Sequence, residues 1–394
     1  MARGSVLRVA AVVIATVMLA GWADADVAVA EEGQNRTALQ QATAAVIAAG
    51  ALGVQLRVHD ERGDWSGSAG AAELGSQAGV ATDGRFRIGS ITKTFVATVL
   101  LQLVGEGRIR LDDPVSHYLP QYGLDPQITV RMLLQHTSGL FNYTGESNPD
   151  GTTEPGLFPM SGKAADDSLF RDYQPDEFVR FALTKPARFA PGTAWSYSST
   201  NYILAALLIE KVTGTPYGVQ VYGRIVVPLG LWGTVVPGHW TGIPSPYARG
   251  YDAYKEGDVL NAIDVTNQNP SWAYSAGEII STTQDLDTFI TALLGGRLLA
   301  PALLAEMRNE RRIGPTAGYG FALVHIERTP HCDFVGHDGG LPGYYSDMFS
   351  TIDGSRRVEL SVTQGPTIDS HDDNAVNKLI AAIGELVGTA ICGG

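Results

Sequence analysis

The chain has 394 residues, 44% of them hydrophobic and 18% charged, a globular composition that excludes a wholly disordered protein. With 41 acidic against 28 basic residues the net charge is −13, which argues against nucleic-acid or anionic-membrane binding, because phosphates would repel it. Two cysteines are too few for a small disulfide scaffold or a Cys-rich zinc module, and the length allows two or three domains or one large enzyme fold with an insertion.

The first elements lie outside any fold. Arg3 and Arg8 open the chain, residues 9–23 are apolar or small, and Ala28-Val29-Ala30 precedes Glu31-Glu32. That order reads as a secretory signal peptide over residues 1–30. The alternative, a membrane anchor, normally needs about 20 apolar residues. Removing residues 1–30 takes away two basic and two acidic residues, so the charge stays at −13. No later segment reads as membrane-spanning. The expectation is a secreted, extracellular protein with no stable membrane anchor. In an oxidising compartment Cys332 and Cys392 form the one available pair. A bridge would close a loop of about 60 residues, worth roughly 4 kcal/mol in the chain-entropy model. Two separate buried thiols are the alternative.

Residues 36–49 are Ala- and Gln-rich, a helix ending at Gly50. Residues 54–59 and 65–72 alternate around Glu61-Arg62-Gly63-Asp64, a hairpin signal. After Phe86-Arg87-Ile88-Gly89-Ser90, the residues Phe95, Val96, Val99, Leu100, Leu103 and Val104 form one apolar helical face, stopping at Gly105. Between 110 and 265, short helical stretches (130–134, 176–183, 201–213) are separated by polar, Pro/Gly-rich loops such as 148–167. Strand signals return at 319–325, 333–336, 344–351 and 357–363, and an amphipathic helix is expected over 374–386. Helices at both ends flanking early and late strands imply an α/β (α+β) fold. Its sheet domain would join residues 31–110 to 266–394, with a mainly helical subdomain over 111–265 and the site at their interface.

Four places carry chemistry. In Ser90-Ile91-Thr92-Lys93 the lysine lies three residues on, hence on the same helical face as the serine. A hydroxyl is a weak nucleophile and needs such a neighbouring base. Of six lysines, Lys93 alone has a serine three positions before it. A surface Ser and Lys at a helix start is the plain alternative. In the run from Pro191 to Tyr202, Tyr197 is a candidate phenolic acid/base if a cation lowers its pKa, or else a buried hydrogen-bonded aromatic. In Gly336-His337-Asp338-Gly339-Gly340, glycines let a substrate backbone approach an edge strand. A lone His337 reads more readily as a structural hydrogen bond. Leu133–Leu140 reads as a capping and packing motif, with no proton-transfer role for His136.

Together these stretches resemble the penicillin-recognising serine hydrolases, the group of class C β-lactamases and D-alanyl-D-alanine carboxypeptidases. The matching text is FRIGSITKTFVATVLLQLVGEGRIRLDDPV, LLQHTSGL, FAPGTAWSYSSTNYILAALLIEKVTG, SAGEIISTTQDLDTF and GHDGGLPGYY, in the family's order from Phe86 to Tyr345. Secreted streptomycete carboxypeptidases look most similar, because Cys332 and Cys392 also resemble a pair of theirs. The resemblance implies a β-lactamase/transpeptidase-like antiparallel sheet flanked by terminal helices. It implies Ser90 as acylated nucleophile, Lys93 in proton transfer, Tyr197 as general base, and His337 in place of the lysine of a K-T-G strand. The Ser90 and Gly340 N–H groups would form the oxyanion hole, each such donor contributing about 3–4 kcal/mol. No cofactor or metal is implied. The implied ligands are peptidoglycan-type peptides, D-amino-acid peptides or esters, and β-lactams.

Two departures stand out. The family's Y-x-N is Tyr197-Ser198-Ser199, so Ser199 replaces an amide that would grip an acylamino group. The H-T-G-T form of the carboxypeptidases is His337-Asp338-Gly339-Gly340, which lacks both hydroxyls for a terminal carboxylate. An ionised Asp338 would repel that carboxylate and favour a cationic amine or a neutral ester or amide. Trp272, before Ser275-Ala276-Gly277, either lines the substrate cleft or simply packs. The expected activity is a D-Ala-D-Ala carboxypeptidase. A broad esterase or D-aminopeptidase/amidase comes next, then a β-lactamase, then a non-catalytic β-lactam or cell-wall-peptide binding protein.

Overall fold

The computed structural model describes residues 34–148, 152–159, 162–370 and 372–393. The segment read as a signal peptide, 1–30, lies outside the described residues.

Helix α1 (Gln34–Ala48) leads into the expected hairpin, β1 (Ala51–Asp60) and β2 (Gly63–Gly70), closed by the Asp60–Gly63 pair. The remaining sheet strands come late: β3 (Arg311–Gly314), β4 (Ala317–Tyr319), β5 (Val324–Thr329), β6 (Cys332–Leu341), β7 (Tyr344–Thr351) and β8 (Arg357–Gln364). They form one sheet in the order β2-β1-β8-β7-β6-β5-β4-β3, each neighbouring pair antiparallel. Both ends of the chain therefore build one sheet, through the β1–β8 pairing.

The period-2 alternation decides which side chains go where. Val54, Leu56 and Val58 of β1 and Val358, Leu360 and Val362 of β8 point to one face. There they pack with Leu39 and Val46 of α1 and with Leu379, Ile383, Leu386 and Ile391 of the last helix, α7 (Asp373–Cys392). Fully burying each such side chain contributes roughly 1.5–3 kcal/mol. α7 runs past the expected end at Leu386. By length and apolar composition it could cross a membrane, which the sequence reading did not anticipate. Leu379, Ile383, Leu386, Val387 and Ile391 of this helix are buried against the sheet. The opposite face carries α2 (Thr92–Gly105) and, between 110 and 300, α3 (Val130–Leu134), α4 (Pro175–Leu183), α5 (Ser199–Thr213) and α6 (Thr283–Leu294). Val335 and Met348 of the sheet join the core formed by α2 and α5. On that face of the central strands a carboxylate of α6 meets two arginines. Asp287 of α6 accepts from Arg357 Nε at 2.6 Å, with Arg57 at 3.7 Å.

Three details differ from the sequence reading. The strand expected over 319–325 is broken at Gly320–Leu323, where Ala322 has φ +53°. β6 continues to Leu341 instead of ending at Gly336. A β-hairpin, Tyr251–Glu256 with Val259–Asp264, lies within the stretch read as mainly helical. Its second strand is largely exposed, so it lacks the apolar alternation that marks a buried strand.

Cys332 of β6 and Cys392 at the end of α7 are disulfide-bonded, 60 residues apart in sequence. The bridge ties the last helix to the strand that carries His337. Cys392→Ser is expected to lower the unfolding free energy by about 2–4 kcal/mol, read from urea midpoint and slope together, because losing the cross-link also expands the denatured chain. An unchanged free energy would show that the bridge does not contribute.

Candidate active site

The site is built where α2 meets the edge of the sheet. Phe86–Arg87 pairs with Ile280–Ser281, and a single 3-10 turn, Gly89–Ile91, then enters α2. Arg87 is fully buried and anchors this entry by donating to the carbonyls of Thr241 (2.7 Å), Thr266 (3.0 Å) and Gln268 (3.0 Å). Along β6, strand β5 pairs only as far as Gly336. Beyond it, β6 has β7 on one side and the Ser90 turn near the other. Two glycines permit that approach. Gly89 has φ +50°, and a methyl group there would lie 2.7 Å from the Gly340 nitrogen. A methyl group on Gly339 would lie 2.0 Å from the Ile88 carbonyl oxygen. Ser346 Oγ donates to that same carbonyl at 2.9 Å.

Ser90, Lys93 and Tyr197, far apart in sequence, converge. Lys93 Nζ lies 3.0 Å from Ser90 Oγ and donates to the Ala276 carbonyl at 2.7 Å. It sits 4.9 Å from the Tyr197 ring centre and 5.8 Å from that of Tyr202. No part of Lys93 reaches solvent, and burial pulls its ammonium down to about 7, against the charge of Asp338. Tyr197 Oη donates to Ser90 Oγ at 2.9 Å. Burial pushes that phenol well above its usual range, so Tyr197 keeps its proton at neutral pH. Once neutral, Lys93 Nζ stands within reach of the Ser90 proton.

His136, at φ +58° and fully buried, holds Tyr197 in place. Its ring lies 4.3 Å from the Tyr197 ring, its carbonyl accepts from Ser196 N, and its Nδ1 accepts from Ser198 N at 3.2 Å. Its Nε2 is 3.1 Å from Tyr319 Oη, which is 3.1 Å from His337 Nε2. His337 is buried on the α2-facing side of β6, with Nδ1 2.6 Å from the Asp338 carbonyl. Burial holds its imidazole below the usual range, against the pull of Asp338.

The remaining expected site residues fall in different places. Asp338 stands beside His337 with a side chain 34% exposed, directly opposite Asp347 of β7. Asp347 is buried, and burial together with Asp338 pushes its carboxyl up to about 8. It is therefore mostly protonated at neutral pH. Ser199 is buried at the first turn of α5, its N–H donating to Asn142 Oδ1 at 3.0 Å. Trp272 is also buried. Its indole N–H donates to Gln268 at 3.1 Å and its ring packs edge-on to Phe158, so of its two readings the packing one describes its place. The Ala276 carbonyl and Tyr319 were not anticipated. A backbone acceptor leaves no mark in sequence, and Tyr319 reads there as an ordinary strand aromatic.

The Beta-lactamase family model matches residues 31–382. The chain belongs to the beta-lactamase family. Within this family it is 30% identical to penicillin-binding protein 4* of Bacillus subtilis over 79% of this chain and 67% of that protein. Among solved structures it resembles a D-stereospecific amidohydrolase from Streptomyces sp., with 37% identity, TM-score 0.78, and 91% of this chain and 99% of that one covered. It also resembles the D-amino acid amidase of Ochrobactrum anthropi SV3 complexed with D-phenylalanine, with 28% identity, TM-score 0.73, and coverage of 89% and 99%. The fold and serine hydrolase family expected from the motifs are thus established.

Because the base must be neutral, kcat/KM is expected to fall about tenfold per pH unit below about 7 and to level off above it. Lys93→Arg keeps a permanent cation there and should lower kcat/KM by about 10²–10⁴-fold across this range. A pH profile without this acid limb would exclude Lys93 as the base.

Proposed function

We propose that this serine hydrolase cleaves amides of D-amino acids and D-amino-acid peptides through an acyl-enzyme on Ser90. Ser90 Oγ attacks the carbonyl carbon and passes its proton to Lys93 Nζ. The developing oxyanion faces the N–H groups of Ser90 and Gly340. The proton on Lys93 goes, by way of Tyr197, to the departing nitrogen, which leaves as amine or ammonia. Water then enters along the same route and releases the acid.

The observation that carries the choice of substrate is the charge along β6. Asp338 places a partly exposed carboxylate where the carboxypeptidases carry a threonine, and the neighbouring His337 is held neutral. A substrate ending in a carboxylate would meet repulsion there. An α-ammonium or a neutral amide would not. The likeness to a D-stereospecific amidohydrolase and a D-amino acid amidase supports this reading. The penicillin-binding relative supports a second, D-Ala-D-Ala carboxypeptidase action on peptidoglycan-type peptides, with β-lactams as acylating ligands of the same serine.

Ser90→Ala is expected to abolish hydrolysis of every substrate. The wild type should release ammonia from D-alanine amide faster than D-alanine from an acyl-D-Ala-D-Ala peptide, measured as kcat/KM. The reverse order would favour the carboxypeptidase, and turnover surviving in Ser90→Ala would overturn the mechanism.

We also propose that the protein is exported, on the signal-like order of residues 1–30. N-terminal sequencing of protein from the culture medium should begin near Glu31, and a retained Met1 would refute cleavage.

A further inference from the structure

The residues behind the site form one directional chain of hydrogen bonds. Leu140 N–H donates to Ser138 Oγ at 3.1 Å, and Ser138 Oγ donates to Asn201 Oδ1 at 2.6 Å. Asn201 Nδ2 then faces His136 Nδ1 at 3.1 Å, and the same Nδ1 receives Ser198 N–H at 3.2 Å. Backbone N–H groups cannot accept, so His136 Nδ1 is bare and its proton is on Nε2. That proton points to Tyr319 Oη at 3.1 Å. At the far end, His337 Nδ1 faces the Asp338 carbonyl oxygen at 2.6 Å. A carbonyl only accepts, so the His337 proton is on Nδ1. Tyr319 Oη accepts from His136, and its own proton faces two acceptors: His337 Nε2, 3.1 Å away, and the oxygen of Tyr202, whose proton goes to the Leu134 carbonyl at 2.8 Å.

We infer that Tyr319 is a specificity-determining positioning residue: by donating to His337 Nε2 it locks that histidine as the neutral Nδ1–H tautomer, so that Asp338 stays uncompensated and the cleft disfavours substrates ending in a carboxylate. A donor aimed at the bare nitrogen opposes protonation, since it stabilises the neutral ring. The other groups facing His337 are Lys93 from α2, which also opposes a second cation, and Asp338, which favours one. His136 lies behind Tyr319 and is itself kept neutral by burial and by Lys93. Without the Tyr319 proton, a protonated His337 with Nδ1 3.8 Å from Asp338 Oδ1 would cancel that charge. The inference rests on the amide reading above, and it assigns the cause of that preference to a residue that touches no substrate.

The test has two arms. In wild-type protein, long-range ¹H–¹⁵N spectra from about pH 5 to about pH 8 should show His337 with Nδ1 protonated and Nε2 bare throughout. A ring protonated at Nε2, or one titrating near the ordinary ~6.5, overturns the inference. In Tyr319→Phe, the ratio of kcat/KM for acyl-D-Ala-D-Ala to that for its C-terminal amide should rise about tenfold at low pH, then fall back as pH climbs through the released His337 pKa. An unchanged ratio, or equal loss on both substrates at all pH values, also overturns it. Failure of Tyr319→Phe to fold leaves the first arm decisive. If wild type prefers the free acid, the amide reading fails, whereas the tautomer measurement still judges Tyr319.

Discussion

A lysine amine buried with no carboxylate in ion-pair contact among the described residues governs this site. Lys93 is enclosed by Ser90, the Ala276 carbonyl and the rings of Tyr197 and Tyr202. Desolvation makes its charged form costly, which is how a lysine becomes a usable base near neutral pH. The same dry surroundings keep Tyr197 protonated and both nearby histidines neutral. Exclusion of water therefore shifts each of these groups toward its neutral form, and at His337 the proposed Tyr319 hydrogen bond acts in the same direction.

That exclusion depends on the sheet. Ser90 and Lys93 belong to the start of α2, whereas β6 comes some 240 residues later. They meet because β1 pairs with β8, which makes one sheet of both chain ends, and because Gly89 and Gly339 let the turn and strand approach closely. The disulfide at the base of β6 and the ion cluster around Asp287 hold the sheet to its flanking helices on either face. In the proposed function, substrate preference is then set by charge on β6. Asp338 keeps part of its surface in water, while Asp347 behind it is neutralised by burial.

Much of the framework was legible in the chain. The hairpin 51–70, the helix after Ser90 and the strands at 344–351 and 357–364 carry apolar periodicities that burial demands on one face. The Ser90–Lys93 spacing marks a shared helical face, and the Cys pair had no alternative partner. The hairpin at 251–264 was not legible, because its second strand is largely exposed and needs no apolar alternation. The break at Gly320–Leu323 was missed because its backbone turn follows from packing against Met307, whose carbonyl oxygen would lie 2.2 Å from a methyl group on Gly320.

The sequence alone determined which chemical groups are present and their local spacing: serine, lysine, tyrosine and histidine in family order, with Asp338 in place of a hydroxyl. Those are covalent facts, and periodicity converts them into helices and strands. Only the tertiary structure decided the ionisation of these groups and the tautomers of His136 and His337. Both depend on which distant atoms exclude water and which donors and acceptors face each ring nitrogen, and no local spacing encodes that.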